Sequence, residues 1–83
     1  MSKVKVEGKG IKTFEVELIE VLLADREEIM NKIYDPEIKK DFSFHLFVLK
    51  KGTEYTDEEI NKFSDPQIYA IVNKIIDVMS KKK

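Results

Sequence analysis

The stretch that decides the fold of this chain is DPEIKKDFSFHLFVLKKG, residues 35–52. Asp35 is a residue type that accepts hydrogen bonds from the free N–H groups at a helix start, and Pro36 suits the first helical position. Gly52 is typical of a helix end, and the two lysines before it favour the negative end of the helix dipole. These signals predict a single helix over residues 36–50.

A strand is the competing interpretation of the same stretch. The residues from Phe42 to Leu49 are mostly apolar, and periodicity alone does not separate a buried helix from a buried strand over so short a run. The helix is preferred here because sequence signals mark both of its ends.

The predicted helix is apolar on almost every side. At about 100° per residue, its inward stripe consists of Ile38, Phe42, His45, Leu46 and Leu49. Five side chains do not all fit the inward stripes of the chain, and this surplus apolar surface is predicted to bind a protein partner: Phe44, Phe47, Val48, Tyr55 and Tyr69. The alternative is a helix covered on both sides within the monomer.

The residues before this stretch predict a β-hairpin. Apolar and charged residues alternate on both sides of the segment Gly8-Lys9-Gly10, which is the pattern of two strands joined by a short loop. The predicted hairpin covers about residues 3–18 and has one apolar face. Because a lone hairpin is marginal in water, that face must pack on helices.

Two capping boxes predict further helices. Asp25 is followed three residues later by a glutamate, and so is Thr56. This spacing is typical of helix starts. It predicts helices over about residues 26–34 and 57–63.

The last predicted helix, residues 66–80, begins at Asp65-Pro66. Its inward stripe consists of Ile68, Ile71, Val72, Ile75, Ile76 and Met79, and its outer face of Ala70, Asn73, Lys74 and Asp77. The run Lys81–Lys83 is predicted to be a solvated basic tail. The complete pattern predicts one α+β domain, in which the N-terminal hairpin packs on a bundle of about four helices.

Composition restricts the classes of function. The 83 residues are 42% hydrophobic and 37% charged, with a formal net charge of −1. This balance is typical of a globular protein rather than a disordered chain. The charges are evenly spread, which argues against a nucleic-acid-binding face. A chain this short would gain stability from oligomerisation, so a homo-oligomer is expected.

The chain lacks the residues for catalysis or for a cofactor. There is no cysteine, and His45 is the single histidine, so the usual zinc ligand sets cannot be built in one chain. His45 lies on an apolar stripe, which predicts a packed side chain rather than a general base. We therefore expect no enzyme activity, no metal and no cofactor.

No membrane association or export is expected. No apolar run approaches the roughly 20 residues that a bilayer-spanning helix needs. Residues 1–10 lack the apolar segment of a signal peptide. The sequence predicts a cytoplasmic protein.

Residues 57–80 allow a second functional interpretation. Two helices with a tight turn suit a helix-turn-helix module, which would make the chain a small DNA-binding or regulatory protein. Its recognition face would be the outer face of the last helix. The acidic residues nearby would repel phosphate, so no nucleic-acid partner is expected.

Two segments carry a family resemblance. LLADREEI, residues 22–29, resembles the L-x-x-DR-x-x-I segment of small tail assembly chaperones of long-tailed bacteriophages and prophages. TDEEINKFSDPQIY, residues 56–69, resembles the T-D-E-E-I-N-x-L-S-x-x-x-I segment of the same family, with Phe63 where leucine is commoner. DFSFHLFVL, residues 41–49, is more aromatic than the family pattern, which leaves another small phage structural protein as an alternative.

The resemblance implies a non-enzymatic function in virion assembly. Proteins of this family are small and mostly helical. They bind the tape measure protein and keep its long apolar helix soluble until tail-tube subunits replace them. The implied partner is a long apolar or coiled-coil helix, met in the host cytoplasm, and no catalytic residue is implied.

Overall fold

The computed structural model of the chain describes residues 2–8 and 10–81, and these residues adopt an α+β fold. An antiparallel hairpin comes first and five helices follow it. The elements are β1 (Ser2–Gly8), β2 (Ile11–Leu18), α1 (Leu23–Ile33), α2 (Pro36–Lys39), α3 (Phe42–Gly52), α4 (Asp57–Ile60) and α5 (Asp65–Lys81). The predicted class and the N-terminal hairpin are confirmed, and the described helices number five rather than about four.

The hairpin has the one-sided apolar pattern that its sequence predicts. Val4 lies opposite Val16, and Val6 lies opposite Phe14. Val6 and Val16 are fully buried, while the charged residues between them are exposed because successive side chains of a strand point to opposite faces. Gly10 has a φ of +77° in the turn, a conformation that favours glycine. Lys9 of the predicted loop lies outside the described residues.

Helix α5 is the centre of the molecule. It packs on α3 along one side and on the hairpin along another. Its buried side chains are Ile68, Ala70, Ile71, Val72, Ile75 and Met79. Most of this surface is β-branched and has modest helix propensity, so burial stabilises the helix, at about 1.5–3 kcal/mol for each fully buried Ile or Val.

The faces of α5 differ from the predicted ones because the helix is covered on two sides. Ala70 was expected on the outer face, but it is buried. The hairpin covers it, since a Cβ atom at Gly8 would lie only 3.3 Å from the Ala70 Cβ. Ile76 was expected to point inward and is only partly buried. Lys81, predicted in a tail, is the last residue of the helix, and residues 82–83 lie outside the described residues.

The predicted helix over residues 36–50 is in fact two helices, α2 and α3. Asp35 begins α2 as predicted, and its side chain accepts a hydrogen bond from the Glu37 N–H at 3.0 Å. The chain then turns, and Asp41 accepts a bond from the Ser43 N–H at 2.9 Å to begin α3. This second cap interrupts the helix. The prediction that this stretch is helical rather than a strand is confirmed. The prediction that it forms one continuous helix is wrong.

Helix α1 begins earlier than predicted and without a side-chain cap. Its N-cap residue is Leu22, which makes no side-chain hydrogen bond to the helix start. Asp25 lies inside the first turn, where its negative charge favours the positive end of the helix dipole. The predicted capping box at Asp25 is therefore wrong.

The two C-terminal helices have reciprocal caps. The Glu59 N–H donates to the Thr56 hydroxyl at 3.2 Å, and the Thr56 N–H donates to the Glu59 carboxylate at 2.9 Å. This confirms the predicted capping box, although α4 is shorter than the predicted range 57–63. Ser64 and Gln67 form the same kind of pair at the start of α5, with distances of 2.8 and 3.4 Å. That second pair was not predicted.

Gly52 brings α3 close to α5. It is a buried residue at the end of α3, and a Cβ atom placed there would lie 2.7 Å from the Ile75 Cδ1. Glycine-to-alanine changes in helices normally stabilise by roughly 0.5–1 kcal/mol, but overpacking a core costs about 1–3 kcal/mol. We expect Gly52→Ala to lower the free energy of unfolding by about 1–2 kcal/mol in urea denaturation.

A second variant tests the cause of that loss. Ile75→Val removes the Cδ1 methyl group, which would lie nearest the new alanine, and keeps the Cγ2 and Cγ1 atoms at 2.9 and 3.0 Å. The double variant Gly52→Ala/Ile75→Val should therefore lose less stability than the sum of the two single changes. Losses that simply add would mean that contact with the Ile75 Cδ1 atom is not the source of the effect.

Candidate functional site

Two of the five predicted partner-binding residues lie in the core. Phe44 is 5% exposed and Val48 is 0% exposed, so the prediction that they lie on outer faces is wrong. Together with Gly52 they form a row at four-residue spacing, and Gly52 lies against Ile75 of α5. Because α3 is apolar all round, its periodicity could not show that this row faces inward. Most of the predicted inward stripe is instead only half-buried: Ile38, Phe42, His45 and Leu46.

Phe47 is half-buried where α3 meets α1. The Nζ atoms of Lys32 and Lys51 lie 5.4 and 5.7 Å from the centre of its ring. These distances are within the range of cation–π contacts. Burial of Phe47 therefore does not force lysines into the core, because their ammonium groups cover the ring from the surface.

Tyr69 belongs to an aromatic cluster at the start of α3. Its ring lies edge-on to His45, with the ring centres 4.6 Å apart, and to Phe42 at 5.8 Å. The His45 Nδ1–H donates to the main-chain carbonyl of Asp41 at 3.1 Å. His45 is thus a packed side chain, as its place on an apolar stripe predicted, and Tyr69 keeps 38% exposure.

Tyr55 joins a second cluster. Its ring lies 5.2 Å from that of Phe63, which in turn lies 6.1 Å from that of Phe14 on the hairpin. Burial raises the pKa of the Tyr55 phenol above its ordinary value, and the negative charges of Glu59 and Glu17 raise it further. The folded state thus favours the neutral phenol. This contribution to stability is lost only at strongly alkaline pH, as the pH rises through the raised pKa.

The predicted partner-binding residues therefore do not form one surface. Phe47 lies beside α1, Tyr69 beside the start of α3, and Tyr55 beside the hairpin. A single apolar strip along the central helix is not assembled by the fold. A protein-binding surface made of these five residues is therefore not present in the fold.

Large apolar side chains are exposed around the start of α1 instead. Leu22 is 72% exposed and Leu23 is 62% exposed. Leu23 lines a cleft between α1 and the C-terminal part of α5, and Val78, 40% exposed, lines an adjoining cleft. We call the two together the α1–α5 cleft, and the apolar side chains of its lining are Leu18, Ile19, Val21, Leu23, Met30, Ile75, Val78 and Met79.

Charged residues border this cleft. Glu20 and Arg26 line both of its parts, and Glu27 lines the part beside Leu23. The arrangement resembles the anatomy of protein interfaces, in which an apolar centre is surrounded by a polar rim.

Helix α1, one wall of the cleft, buries little of its surface against the rest of the molecule. Its fully buried side chain is Ile29. Its other connections include an ion pair at 3.6 Å between Asp25 and Lys51, and the contact of Lys32 with the Phe47 ring. Exposed ion pairs contribute little to stability. We therefore place α1 at the low-stability end of the fold.

The outer face of α5, which the helix-turn-helix interpretation requires, is partly covered by the hairpin. Ala70 is buried beside the hairpin, and Asn73, Lys74 and Asp77 line a cleft with Lys5 of β1. A recognition helix must enter the major groove of DNA with this face exposed. At Ala70 the hairpin therefore occupies part of the side from which a DNA groove would have to approach.

Over 2–8 and 10–81, no group of three or more histidine, aspartate and glutamate side chains is placed to hold a metal ion. Within the same residues, the helices are too short or too polar to cross a membrane. Comparison of the chain with protein-family models, with curated proteins and with solved structures finds no match in any of the three.

Proposed function

We propose that this chain is a non-enzymatic protein-binding factor that receives an apolar helix of a partner in the α1–α5 cleft. The observation that carries the proposal is the exposure of Leu23 and Val78 on the apolar lining of the cleft. The fold covers most of its other large apolar side chains at least in part. Exposed apolar side chains that adjoin a cleft are typical of interaction surfaces.

The shape of the cleft favours a helix as its occupant. Two of its walls are the helices α1 and α5, and a third helix can pack between two others by placing its ridges in their grooves. Met30 and Met79 lie in the cleft, and methionine side chains adapt to different apolar surfaces. A cleft of this kind suits an apolar helix whose exact sequence varies along its length.

The same surface suits the role that the resemblance to tail assembly chaperones implies. Such a chaperone has to cover an apolar helix and later give way to tail-tube subunits. A shallow cleft with one lightly attached wall allows reversible binding, because little of the core has to be disturbed for release. We therefore propose the tape measure helix, in the host cytoplasm, as the concrete partner. Gene order tests this choice, since a tail-tube gene should lie upstream and a gene for a very long coiled coil downstream.

A binding assay tests the cleft directly. The probe is a fluorescein-labelled, leucine-rich amphipathic helical peptide, and the readout is fluorescence anisotropy. We expect the double variant Leu23→Ser/Val78→Ser to bind the peptide at least about tenfold more weakly than the unchanged chain, a loss of about 1.4 kcal/mol. Thermal stability should fall only modestly, because Leu23 is 62% exposed and Val78 is 40% exposed.

Tyr34→Ser is the matched control. Tyr34 is 80% exposed and lies at the end of α1, outside the residues that line the cleft. This change should leave the affinity for the peptide within about twofold. Equal binding by all three proteins would contradict the proposal. An equal loss in both variants would indicate general surface adhesion rather than a site.

A further inference from the structure

Strand β1 has a free edge. The sheet of the described residues contains two strands, and β1 pairs with β2 along one of its sides. Within the same residues, no main-chain hydrogen bond joins β1 to a helix. Alternate N–H and C=O groups along an unpaired strand edge form a template on which another strand can pair. A two-stranded hairpin is marginal by itself in water, so a further strand would stabilise it.

A cleft between β1 and α5 runs along this edge. Lys5, Val6 and Glu7 are consecutive residues, and all three line the cleft. Since successive side chains of a strand point to opposite faces, a cleft that reaches three in a row includes the edge between those faces. The other lining residues belong to α5 and are Ala70, Asn73, Lys74 and Asp77.

The charges that line the cleft are balanced. Lys5 and Lys74 are positive, and Glu7 and Asp77 are negative. A segment that carries charges of one sign would be attracted by two of these side chains and repelled by the other two. A surface with both signs can instead match a second copy of itself, because a twofold axis sets each patch against the same patch of the other copy.

We propose that two copies of the chain form a closed dimer in which their β1 strands pair antiparallel about Val6. In this register Lys5 of each copy lies opposite Glu7 of the other, and Val6 lies opposite Val6. The sheet of the dimer has four strands, with the apolar faces of both hairpins on the same side. The interface shares no lining residue with the α1–α5 cleft, so the dimer is independent of the proposed function.

The charge pattern of β1 selects this register. Pairing about Lys5 would place Lys5 opposite Lys5, and pairing about Val4 would place Lys3 opposite Lys5. Like charges directly opposite each other destabilise a sheet. Glu7 is also available for a second copy, because the register of the hairpin is irregular at this point and gives Glu7 no partner on β2.

Strand β2 is a poorer edge for a second copy. Its exposed residues include Glu15 and Glu17, and pairing of two β2 strands about Glu15 or about Val16 would set these glutamates against each other. Glu54 and Glu59 line a cleft together with Glu17 and add negative charge there. Beyond the end of β2, the chain is hydrogen-bonded to the end of α3.

The position of α5 is compatible with this dimer. The helix contacts both strands of the hairpin, and neighbouring strands of a sheet lie about 4.8 Å apart. Two such helices on one face of the four-stranded sheet would therefore lie about 10 Å apart, which is a usual spacing of packed helices. Lys74 and Asp77, which have opposite charges, line the cleft where the two helices would meet.

Sedimentation equilibrium of the full chain tests the dimer. We expect a concentration-dependent species of twice the monomer mass and no larger one. A chain that remains monomeric at millimolar concentration would overturn the proposal. Larger species that grow with concentration would overturn it as well, because they would indicate head-to-tail pairing of β1 with β2, which leaves an open edge at each end.

A charge reversal tests the register. Glu7→Lys sets a lysine opposite Lys5 in both pairs of the dimer, and should raise the dissociation constant of the dimer at least about tenfold. The hairpin should still form, because Glu7 has no partner on β2. Glu58→Lys makes the same change of charge at an exposed position of α4, and should leave the constant within about twofold. Equal weakening in the two variants would show that net charge and not strand pairing governs association, and would overturn the proposal.

A mixture of two variants tests whether these charges face each other. Lys5→Glu/Glu15→Gln reverses the other charge of the pair without setting two glutamates against each other within the hairpin. Alone it should dimerise weakly, because like charges face each other at the interface. Mixed with Glu7→Lys, it should form heterodimers at least about tenfold more tightly than either variant forms homodimers. Absence of heterodimers would contradict the antiparallel register.

Hydrogen exchange locates the contact in the unchanged chain. Raising the protein concentration should slow the exchange of the β1 amides that point away from β2, while the amides of β2 keep their protection. The variant Leu23→Ser/Val78→Ser should dimerise as the unchanged chain does, which separates this contact from the α1–α5 cleft. Concentration-dependent protection in α1, with β1 unchanged, would place the contact in that cleft and overturn the proposal.

Discussion

Replacing Phe44 with alanine is expected to lower the free energy of unfolding by about 3–5 kcal/mol. The Phe44 ring is 5% exposed and belongs to the row of α3 that faces α5. Truncation to alanine removes the buried ring and leaves a cavity that the surrounding side chains fill only in part. Urea denaturation followed by circular dichroism at 222 nm measures the loss. The free energy of unfolding of a native domain is only about 0.05–0.15 kcal/mol per residue. A loss of this size should therefore bring the variant close to unfolding at 37 °C.

Phe47→Ala is the matched control for this prediction. It makes the same chemical change three residues further along the same helix, at a ring that is half-buried beneath two lysine ammonium groups. Only part of the transfer free energy is lost there, so we expect a cost of about 1–2 kcal/mol. A larger cost at Phe47 than at Phe44 would show that the face of α3 that carries Phe47, and not the face that carries Phe44, is directed into the core.

Ile75→Ala is expected to lower the free energy of unfolding by about 2–5 kcal/mol. Ile75 is 2% exposed and lies against Gly52 of α3. The control is Asn73→Ala on the exposed side of the same helix, which should change stability by less than about 0.5 kcal/mol. Similar losses at the two positions would mean that α5 is not packed as described.

The sequence predicts the hairpin and α5 well because each has a single strong period. Alternation through Val4–Val6 and Phe14–Leu18 matches a strand with one buried face, and the stripe on α5 recurs at helical spacing. Where the structure differs from the prediction, as at Ala70, the cause is the hairpin, which covers a second side of α5. A stripe of large apolar residues cannot reveal such a layer, because alanine fits either a surface or a close contact.

The central stretch was harder to predict because its signals conflict. Asp41 followed by Ser43 is itself a helix start, but it lies inside an apolar run that suggested continuity. The inward face of α3 could not be read from a segment that is apolar on all sides. Its orientation depends on Gly52, whose missing side chain allows Ile75 to approach. That information belongs to a contact between distant residues and not to the local pattern.

The candidate site could not be predicted for a related reason. Leu22 and Leu23 lie between the end of a strand and the first turn of a helix, where neither the strand period nor the helix period assigns a side chain to the core. Their exposure depends on the path of the chain between β2 and α1. Two adjacent leucines in a segment without a period are the one sequence signal that could have indicated this surface.

The packing of the hairpin on α5 has a consequence for synthesis on the ribosome. The first element of the chain, β1, covers Ala70 on the last one, α5, while α3 covers another side of that helix. The strands and the middle helices therefore leave the exit tunnel before the surface they need has been made. Until α5 emerges, the valines of β1 and the Phe44 face of α3 remain uncovered and open to a holding factor or to aggregation. Folding should then complete in one late step, when α5 enters between surfaces that were synthesised before it.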